Sequence, residues 1–582
     1  MQTREDFVWK MGGQQGEGIE SGGEILAKVL AALGYSLFSQ RLFASRIKGG
    51  HTTFALRIAS HQLGTIGEGV DNLIALDQET IDQHGHELRS GGVLIADTKF
   101  APKGDSLPAG VTLLALPITD TAKECGSLQM KNIVALGMSV AYLGFPRERF
   151  IAAISDRFAK KTQEVIAANV RAFNEGARLV DEQKDNFAAP GSLPEPPDAD
   201  LLFLMGNEAI ALGALAAGAR FMASYPITPA SEIMEYMIQA IDRVHGAVVQ
   251  TEDELASCMM AIGANFAGVR AFTATSGPGL SLMAESISLA TIAEIPMVII
   301  DVMRAGPSTG MATKVEQSDI MAAIYSAHGD VGKIVVAPTS TEECFYVTAE
   351  AFNLAEQYQC PVIVLADLQQ GLNKQSVPAL DLSRVKIERG NLQTEDLPEL
   401  IRPDYFARFA DTESGISPRT IPGTPNGMFL STGLEHDTVG KPAEAPSNRV
   451  VQTDKRLRKF TTVADHFAPL AVDAPTEEAD VLLISINSAC GAAAEAAEHL
   501  RKEGIKVNRI GLRLLEPFPT QALRPYVEKA KKVLVLEQNA TGQLTQLLTM
   551  HLPELAPFSM LKRYDGLTLT PSQIAARVKE VL

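Results

Sequence analysis

Short apolar runs of strand length alternate along this chain with stretches of helical spacing, almost from end to end. Residues 6–11 read as a strand, and the segment Gly12-Gly-Gln-Gln-Gly-Glu-Gly18 follows it. Ile25, Val29, Leu30 and Leu33 then recur on one helical face that Gly34 ends. Strands over 52–58, 73–76 and 93–96 continue this first series to about residue 185. The next stretch, 186–200, carries four prolines, which neither a helix nor a central strand accommodates, and reads as a linker. A second series has strands predicted at 201–204, 221–224, 247–250, 270–275, 296–301, 333–336 and 361–366, with helices starting near Glu208, Ser231, Glu254 and Thr341. Residues 403–460 are rich in Gly, Pro and Thr and read as irregular, the kind of long segment that is usually functional or an interface. A third series places strands at 480–485, 506–510 and 533–537 and a last helix near residue 582.

Strands alternating with helices of this length predict an α/β protein with mainly parallel sheets. The expected organisation is 1–185, a linker 186–200, 201–400, an irregular connection 401–475, and 476–582. A chain of 582 residues is too long for a single core. Its net charge of −17 argues against nucleic acid or an anionic membrane as the main partner, and it makes local cations informative. The five cysteines are scattered with no Cys-x-x-Cys pair, so a zinc or iron–sulfur site held by this chain alone is not expected. With no apolar signal core at the start and no uninterrupted apolar span, the chain is expected to be cytoplasmic.

Chemistry-bearing residues concentrate in loops that follow predicted strands. Arg304-Ala-Gly-Pro-Ser-Thr-Gly-Met-Ala-Thr-Lys-Val-Glu-Gln-Ser-Asp319 leaves the strand 296–301 and places Arg304 and Lys314 where open sheets bind ligands. It is either an anion-binding surface or a solvated loop. In Ser224-Tyr-Pro-Ile-Thr-Pro-Ala-Ser231 two prolines brace Thr228, and Ser231 is expected to cap the next helix. In Gln250-Thr-Glu-Asp-Glu-Leu-Ala-Ser257 the acids offset a helix dipole, which suffices for Glu252 and Asp253. Glu254 precedes the apolar Leu255, Met259, Met260 and Ile262; in an apolar pocket its pKa would rise and its protonated carboxyl could donate to a ring nitrogen. Thr273-Ala-Thr-Ser-Gly-Pro-Gly279, with Ser276 and Gly277, is a structural turn or a ligand contact. The Gly12–Gly18 loop is a tight turn or a phosphate cradle; Ser21 stands where a dinucleotide fingerprint needs its third glycine.

Together these segments resemble the 2-oxoacid:ferredoxin oxidoreductases, in particular the large chain of the 2-oxoglutarate enzymes. The motifs are Tyr225-Pro-Ile-Thr-Pro229, Glu254 ahead of Ala261-Ile-Gly-Ala264, Thr273–Gly279, Arg304-x-Gly-Pro-Ser-Thr-Gly310 with Thr313-Lys-x-Glu-Gln-Ser-Asp319, and Gly415-Ile-Ser-Pro-Arg. The resemblance covers nearly the whole chain, with a gamma-type module fused ahead of an alpha-type one. It implies three Rossmann-like or transketolase-like domains, of which 201–400 binds the thiamine pyrimidine and 476–582 is the C-terminal transketolase-like domain.

The resemblance also implies thiamine diphosphate at a subunit interface. Glu254 would promote the imino tautomer that deprotonates the thiazolium; Tyr225, Pro226, Ser276 and Gly277 would line the cofactor. Thr228 and Arg304 would hold the substrate carboxylate, with Lys314 a candidate for a distal one. Carbon dioxide leaves, electrons pass singly to an iron–sulfur cluster and then ferredoxin, and the acyl group goes to coenzyme A, for which Ser45, Lys48, Gly49 and Asn539 are candidate contacts. The chain lacks a Gly-Asp-Gly motif with paired Asn, so magnesium and the [4Fe-4S] cluster are expected on a separate beta subunit in an (αβ)2 assembly. The favoured substrate is 2-oxoglutarate, with pyruvate or a branched-chain 2-oxoacid as alternatives. A non-catalytic α/β scaffold subunit and a dinucleotide-dependent dehydrogenase are the competing readings.

Overall fold

A computed structural model describes residues 3–43, 50–197, 200–395, 397 and 405–582. The chain divides into two compact units, Met1–Leu204 with Asn373–Ala379, and Met205–Leu372 with Leu380–Leu582.

The first unit is built on an eight-stranded sheet. From one edge its strands are Thr112–Leu116, Leu88–Asp97, Val70–Ala75, Asp6–Gln14, His51–Ala59, Ser36–Phe43, Lys374–Pro378 and Leu201–Met205. Asp6–Gln14 runs parallel to Val70–Ala75 and antiparallel to His51–Ala59. Helices Lys131–Leu143 and Gln163–Asp181 pack closely because each presents a glycine to the other. A Cβ on Gly137 would lie 2.0 Å from the Phe173 carbonyl oxygen, and one on Gly176 would lie 2.1 Å from that of Val134. The Gly12–Gly18 loop is closed by its own anion. Glu17 Oε2 accepts the Gln14 N–H at 3.2 Å, and Oε1 pairs with Lys131, which favours the structural-turn reading over a phosphate cradle.

Leu201–Met205, expected to open the second series, is instead an edge strand of this first sheet beside Lys374–Pro378. An apolar run specifies a strand, but not which sheet will take it.

The second unit contains a seven-stranded sheet in the order Leu514–Glu516, Ile334–Val336, Pro361–Asp367, Met297–Met303, Ala271–Thr275, Phe221–Ser224 and Ala247–Gln250. Its strands from Ile334–Val336 to Ala247–Gln250 run parallel. Met297–Met303 is buried at every position, as a parallel strand covered on both faces requires. A five-stranded sheet follows, in the order Leu470–Asp473, Val507–Leu512, Ala479–Ser485, Ala530–Glu537 and Ser559–Lys562. The segments expected as 201–400 and 476–582 share a sheet and an apolar cluster, although 476–582 also holds a cluster of its own. Leu514–Glu516 pairs antiparallel with Ile334–Val336, and one apolar cluster combines Cys258, Ile299 and Leu365 with Leu482, Leu512 and Leu548.

The stretch read as irregular contains the helix Pro446–Arg458. Hydrophobic periodicity misses it because its buried face is polar: Gln452, Lys455 and Arg456. That face reaches a buried carboxylate. Lys455 Nζ lies 2.6 Å from Glu294 Oε1, Lys459 Nζ lies 3.2 Å from Oε2, and Arg408 donates to the Glu294 carbonyl at 2.6 Å. Burial alone would raise the Glu294 carboxyl; Lys459, Lys455 and Arg408 outweigh it and hold the pKa at about 2. A second buried carboxylate, Glu356, pairs with Arg270 and Arg419 at 2.9 and 3.0 Å. Ion pairs thus tie this segment to the second unit where few apolar side chains are on hand.

Candidate active site

Four adjacent parallel strands of the seven-stranded sheet deliver the candidate residues at their carboxyl ends. Met297–Met303 leads to Arg304, Ala271–Thr275 to Ser276 and Gly277, Phe221–Ser224 to Tyr225–Pro229, and Ala247–Gln250 to Glu254. The Thr251 N–H donates to the Ser224 carbonyl at 3.1 Å, and the Ser224 hydroxyl donates to the Ala274 carbonyl at 2.9 Å, so neighbouring loops leave the sheet in fixed register.

Arg304 is buried, and its Nη1 donates to the Thr228 carbonyl at 2.7 Å, bringing two predicted residues together. Its Nε–H has no acceptor among the described residues, and neither does the Thr228 hydroxyl make a hydrogen bond there. The Thr228 loop is braced from beneath by Asn207, whose side-chain amide donates to the Pro229 carbonyl at 2.7 Å. Ser231, expected as a cap, is the first residue of helix Ser231–Ala240, whose cap position is Ala230. The Ile227 carbonyl accepts both the Ala230 and Ser231 N–H groups, so the loop backbone supplies the turn.

Asp253 caps helix Glu254–Phe266 through the Ala256 N–H at 2.7 Å. Glu254 is therefore free of capping duty. It is buried, and its carboxylate has no hydrogen bond or ion pair among the described residues. It abuts Gly279, where an added Cβ would stand 2.8 Å from Oε1. The apolar run behind it does not enclose it as expected: Leu255, Met259 and Met260 are exposed, since successive helical positions diverge by about 100°. Ser276 is fully buried with an unpartnered hydroxyl, and Tyr225 is exposed at the rim.

Two acids that the strand pattern did not single out complete the cluster. Asp301, inside the buried strand, has neither carboxylate oxygen hydrogen-bonded among the described residues. Burial, then the neighbouring Asp319, push its pKa well above the usual range. Asp319 lies against Gly277, where a Cβ would fall 2.6 Å from Oδ2. Burial and Glu316 raise its pKa to about 6 against the opposing pull of Arg304. Burial lowers the Arg304 guanidinium, with Asp319 acting in the other direction. An acid in an otherwise apolar strand, Ile300-Asp301-Val302, is the signal that could have found Asp301.

Lys314 is not drawn to this cluster by any contact. Its stem lies against Gly566, its backbone closes the loop through Ala305 and Met311, and its ammonium makes no ion pair among the described residues. Asn539 is buried, its amide donates to Gln317 and Glu537, and its oxygen accepts from Gly542 and Gln543. It holds a turn. Ser45, Lys48 and Gly49 lie outside the described residues. Among the described residues no helix is long and apolar enough to cross a membrane.

The donor set suits a thiamine group: an unpartnered buried carboxylate, an unpartnered serine hydroxyl and glycines where side chains would intrude. Comparison with known proteins agrees. Residues 212–455 match the family model for the thiamine diphosphate-binding domain of pyruvate flavodoxin/ferredoxin oxidoreductases. Residues 8–179 match that of pyruvate ferredoxin/flavodoxin oxidoreductase, and 479–574 that of pyruvate:ferredoxin oxidoreductase core domain II. The alpha subunit of 2-oxoacid:ferredoxin oxidoreductase 2 from Aeropyrum pernix is 35% identical, over 99% of this chain and 98% of that protein. The 2-oxoglutarate oxidoreductase subunit KorA of Mycobacterium tuberculosis is 31% identical, over 94% and 87% respectively. A solved 2-oxoglutarate:ferredoxin oxidoreductase from Magnetococcus marinus, with 2-oxoglutarate, coenzyme A and succinyl-CoA bound, superposes with a TM-score of 0.92 at 34% identity, covering 99% of both chains. The chain belongs to the thiamine-diphosphate-dependent 2-oxoacid:ferredoxin oxidoreductases, as an alpha subunit of that enzyme family.

Proposed function

We propose that this chain is the alpha subunit of an enzyme interconverting 2-oxoglutarate plus coenzyme A with succinyl-CoA plus carbon dioxide, exchanging electrons with ferredoxin. The observation that carries the reading is the buried Arg304 guanidinium, held on the Thr228 backbone with an N–H to spare beside a free Thr228 hydroxyl. A buried cation with unfilled donors is a receptor for a carboxylate. The 2-oxoglutarate bound in the Magnetococcus marinus enzyme favours that substrate over pyruvate. Lys314, whose ammonium makes no ion pair among the described residues, is the proposed contact for its distal carboxylate.

Thiamine diphosphate, when bound, supplies the carbon nucleophile and the electron sink for decarboxylation. Glu254 would hold the aminopyrimidine at its ring nitrogen, where a carboxyl can accept or donate a proton. Ser276, Gly277, Tyr225 and Pro226 would line the cofactor, and Thr228 with Arg304 would orient the 2-oxoacid. The first unit serves as the gamma-type module. Magnesium, the diphosphate contacts and the [4Fe-4S] cluster belong to a beta subunit in an (αβ)2 assembly. The exposed Leu255, Met259, Met260 and Leu282, beside the site, form the apolar surface that such a partner would cover.

Anaerobic co-purification with the beta chain and dye-reduction assays on a panel of 2-oxoacids test this directly. Faster turnover of pyruvate than of 2-oxoglutarate overturns the substrate assignment. Turnover by this chain alone, with added thiamine diphosphate and magnesium, overturns the divided site.

A further inference from the structure

The first unit holds a second polar cluster that the 2-oxoacid reading does not use. It lies at the carboxyl ends of the adjacent parallel strands Asp6–Gln14 and Val70–Ala75, where α/β sheets present ligand-binding groups. Asp77 follows the second of these strands, and His51 sits opposite Gln14 at the start of His51–Ala59. A ring nitrogen of His51 and one carboxylate oxygen from each of Asp77 and Glu79 lie within 4.8 Å of one another. Asp77 Oδ1 accepts from the Thr80 N–H at 2.9 Å and hydroxyl at 2.7 Å, capping helix Gln78–His84. Asp77 Oδ2 and His51 Nδ1 are both buried atoms without a hydrogen-bond partner among the described residues.

The neighbouring hydrogen-bond chain accounts for the bare nitrogen. Lys10 donates to Glu87, and His84 Nδ1–H donates to the same carboxylate at 2.6 Å. A singly protonated His84 then turns its Nε2 lone pair toward His51 Nε2, 3.1 Å away. The proton between the rings therefore belongs to His51 Nε2, which leaves Nδ1 as a lone pair. Lone pairs of an imidazole and two carboxylates gathered without a hydrogen among them repel unless a cation joins them. This nitrogen–oxygen donor set suits a first-row divalent metal, and the partner on the far ring nitrogen is the arrangement that orients metal-binding histidines.

We propose that His51, Asp77 and Glu79 bind a divalent transition-metal ion, with His84, Glu87 and Lys10 fixing the His51 tautomer. Two carboxylates neutralise the ion, and three protein ligands leave coordination positions on the side where Glu79 is exposed. The purified full chain, stripped with chelator, is titrated with Mn2+ while the free-ion electron paramagnetic resonance signal is followed; Zn2+ is then added in competition. Wild type is expected to take up about one Mn2+ per chain and to release it to Zn2+. His51→Ala and Asp77→Asn are each expected to weaken binding at least tenfold, and His84→Gln about 10–100-fold. Asp77→Asn keeps an oxygen for the Thr80 cap, so it reads binding even if His51→Ala fails to fold. Equal uptake by wild type and Asp77→Asn, or no uptake by wild type, overturns the site.

Discussion

Two groups of buried carboxylates in the second unit face opposite circumstances. Glu294 is enclosed by Lys455, Lys459 and Arg408, and burial's upward push on its pKa is overridden. Asp301 is as fully buried and Glu254 nearly so, yet no hydrogen bond satisfies either among the described residues, and burial prevails at Asp301. Removing one partner from a satisfied buried cluster strands the remaining charges, whereas an unsatisfied buried acid costs stability and awaits a ligand. The contrast separates acids that hold the chain together from acids that hold something else.

The comparison is broken most severely by Glu294→Ala, which leaves Lys455 and Lys459 without their carboxylate. A loss of about 3–5 kcal/mol in urea unfolding is expected; a loss below about 1 kcal/mol would mean the cluster is not structural. Glu254→Gln should do the reverse, leaving the unfolding midpoint unchanged or higher while lowering turnover in the assembled enzyme by about 10²–10⁴-fold. Arg304→Gln should raise KM for the 2-oxoacid more than it lowers kcat, since a charged hydrogen bond is worth about 1.5–3 kcal/mol; steady-state kinetics separate the two.

The smallest effect is a pH dependence. Asp319 has a folded-state pKa of about 6, above its unfolded value near 3.9. Its contribution to stability is thus fully present below about pH 4 and is lost as pH rises through about 6. Thermal melts from about pH 4 to about pH 7 should show wild type losing stability relative to Asp319→Asn. A difference independent of pH would place the Asp319 pKa in the ordinary range.

Most strands and helices were legible because periodicities of 2 and 3.6 mark which side chains face a core. Membership was not: nothing local in Leu201-Leu-Phe-Leu204 distinguishes an edge of one sheet from the start of another. Helix Pro446–Arg458 was hidden because its inward face is polar, and Lys455 on that face pairs with Glu294, more than a hundred residues away in sequence. The loops holding Thr228, Glu254, Ser276 and Arg304 were legible from glycine, proline and charge placement after strands. Asp301 and Asp319 were not, since an unusual protonation state arises from burial, and burial arises only from the folded sheet. That the Asn539 side chain holds a turn was hidden for the same reason: a polar residue after a strand looks free until its hydrogen bonds are traced.

Strand Lys374–Pro378 docks on Ser36–Phe43, where Ser376 Oγ accepts the Leu37 N–H at 2.9 Å and Ser39 Oγ accepts that of Lys374 at 2.9 Å. Leu201–Met205 in turn docks on Lys374–Pro378. During synthesis the first sheet therefore has an open edge until residue 378 has left the ribosome. From the end of the linker, that wait lasts on the order of 10–40 s at ordinary elongation rates. An unpaired strand edge is a template for another nascent chain, so neighbouring ribosomes on one message are the place where such pairing would begin. Nascent chains arrested before Asn373 should be cleaved by protease within 36–43, and those whose Ala379 has emerged should resist; equal cleavage would show that the edge is guarded some other way.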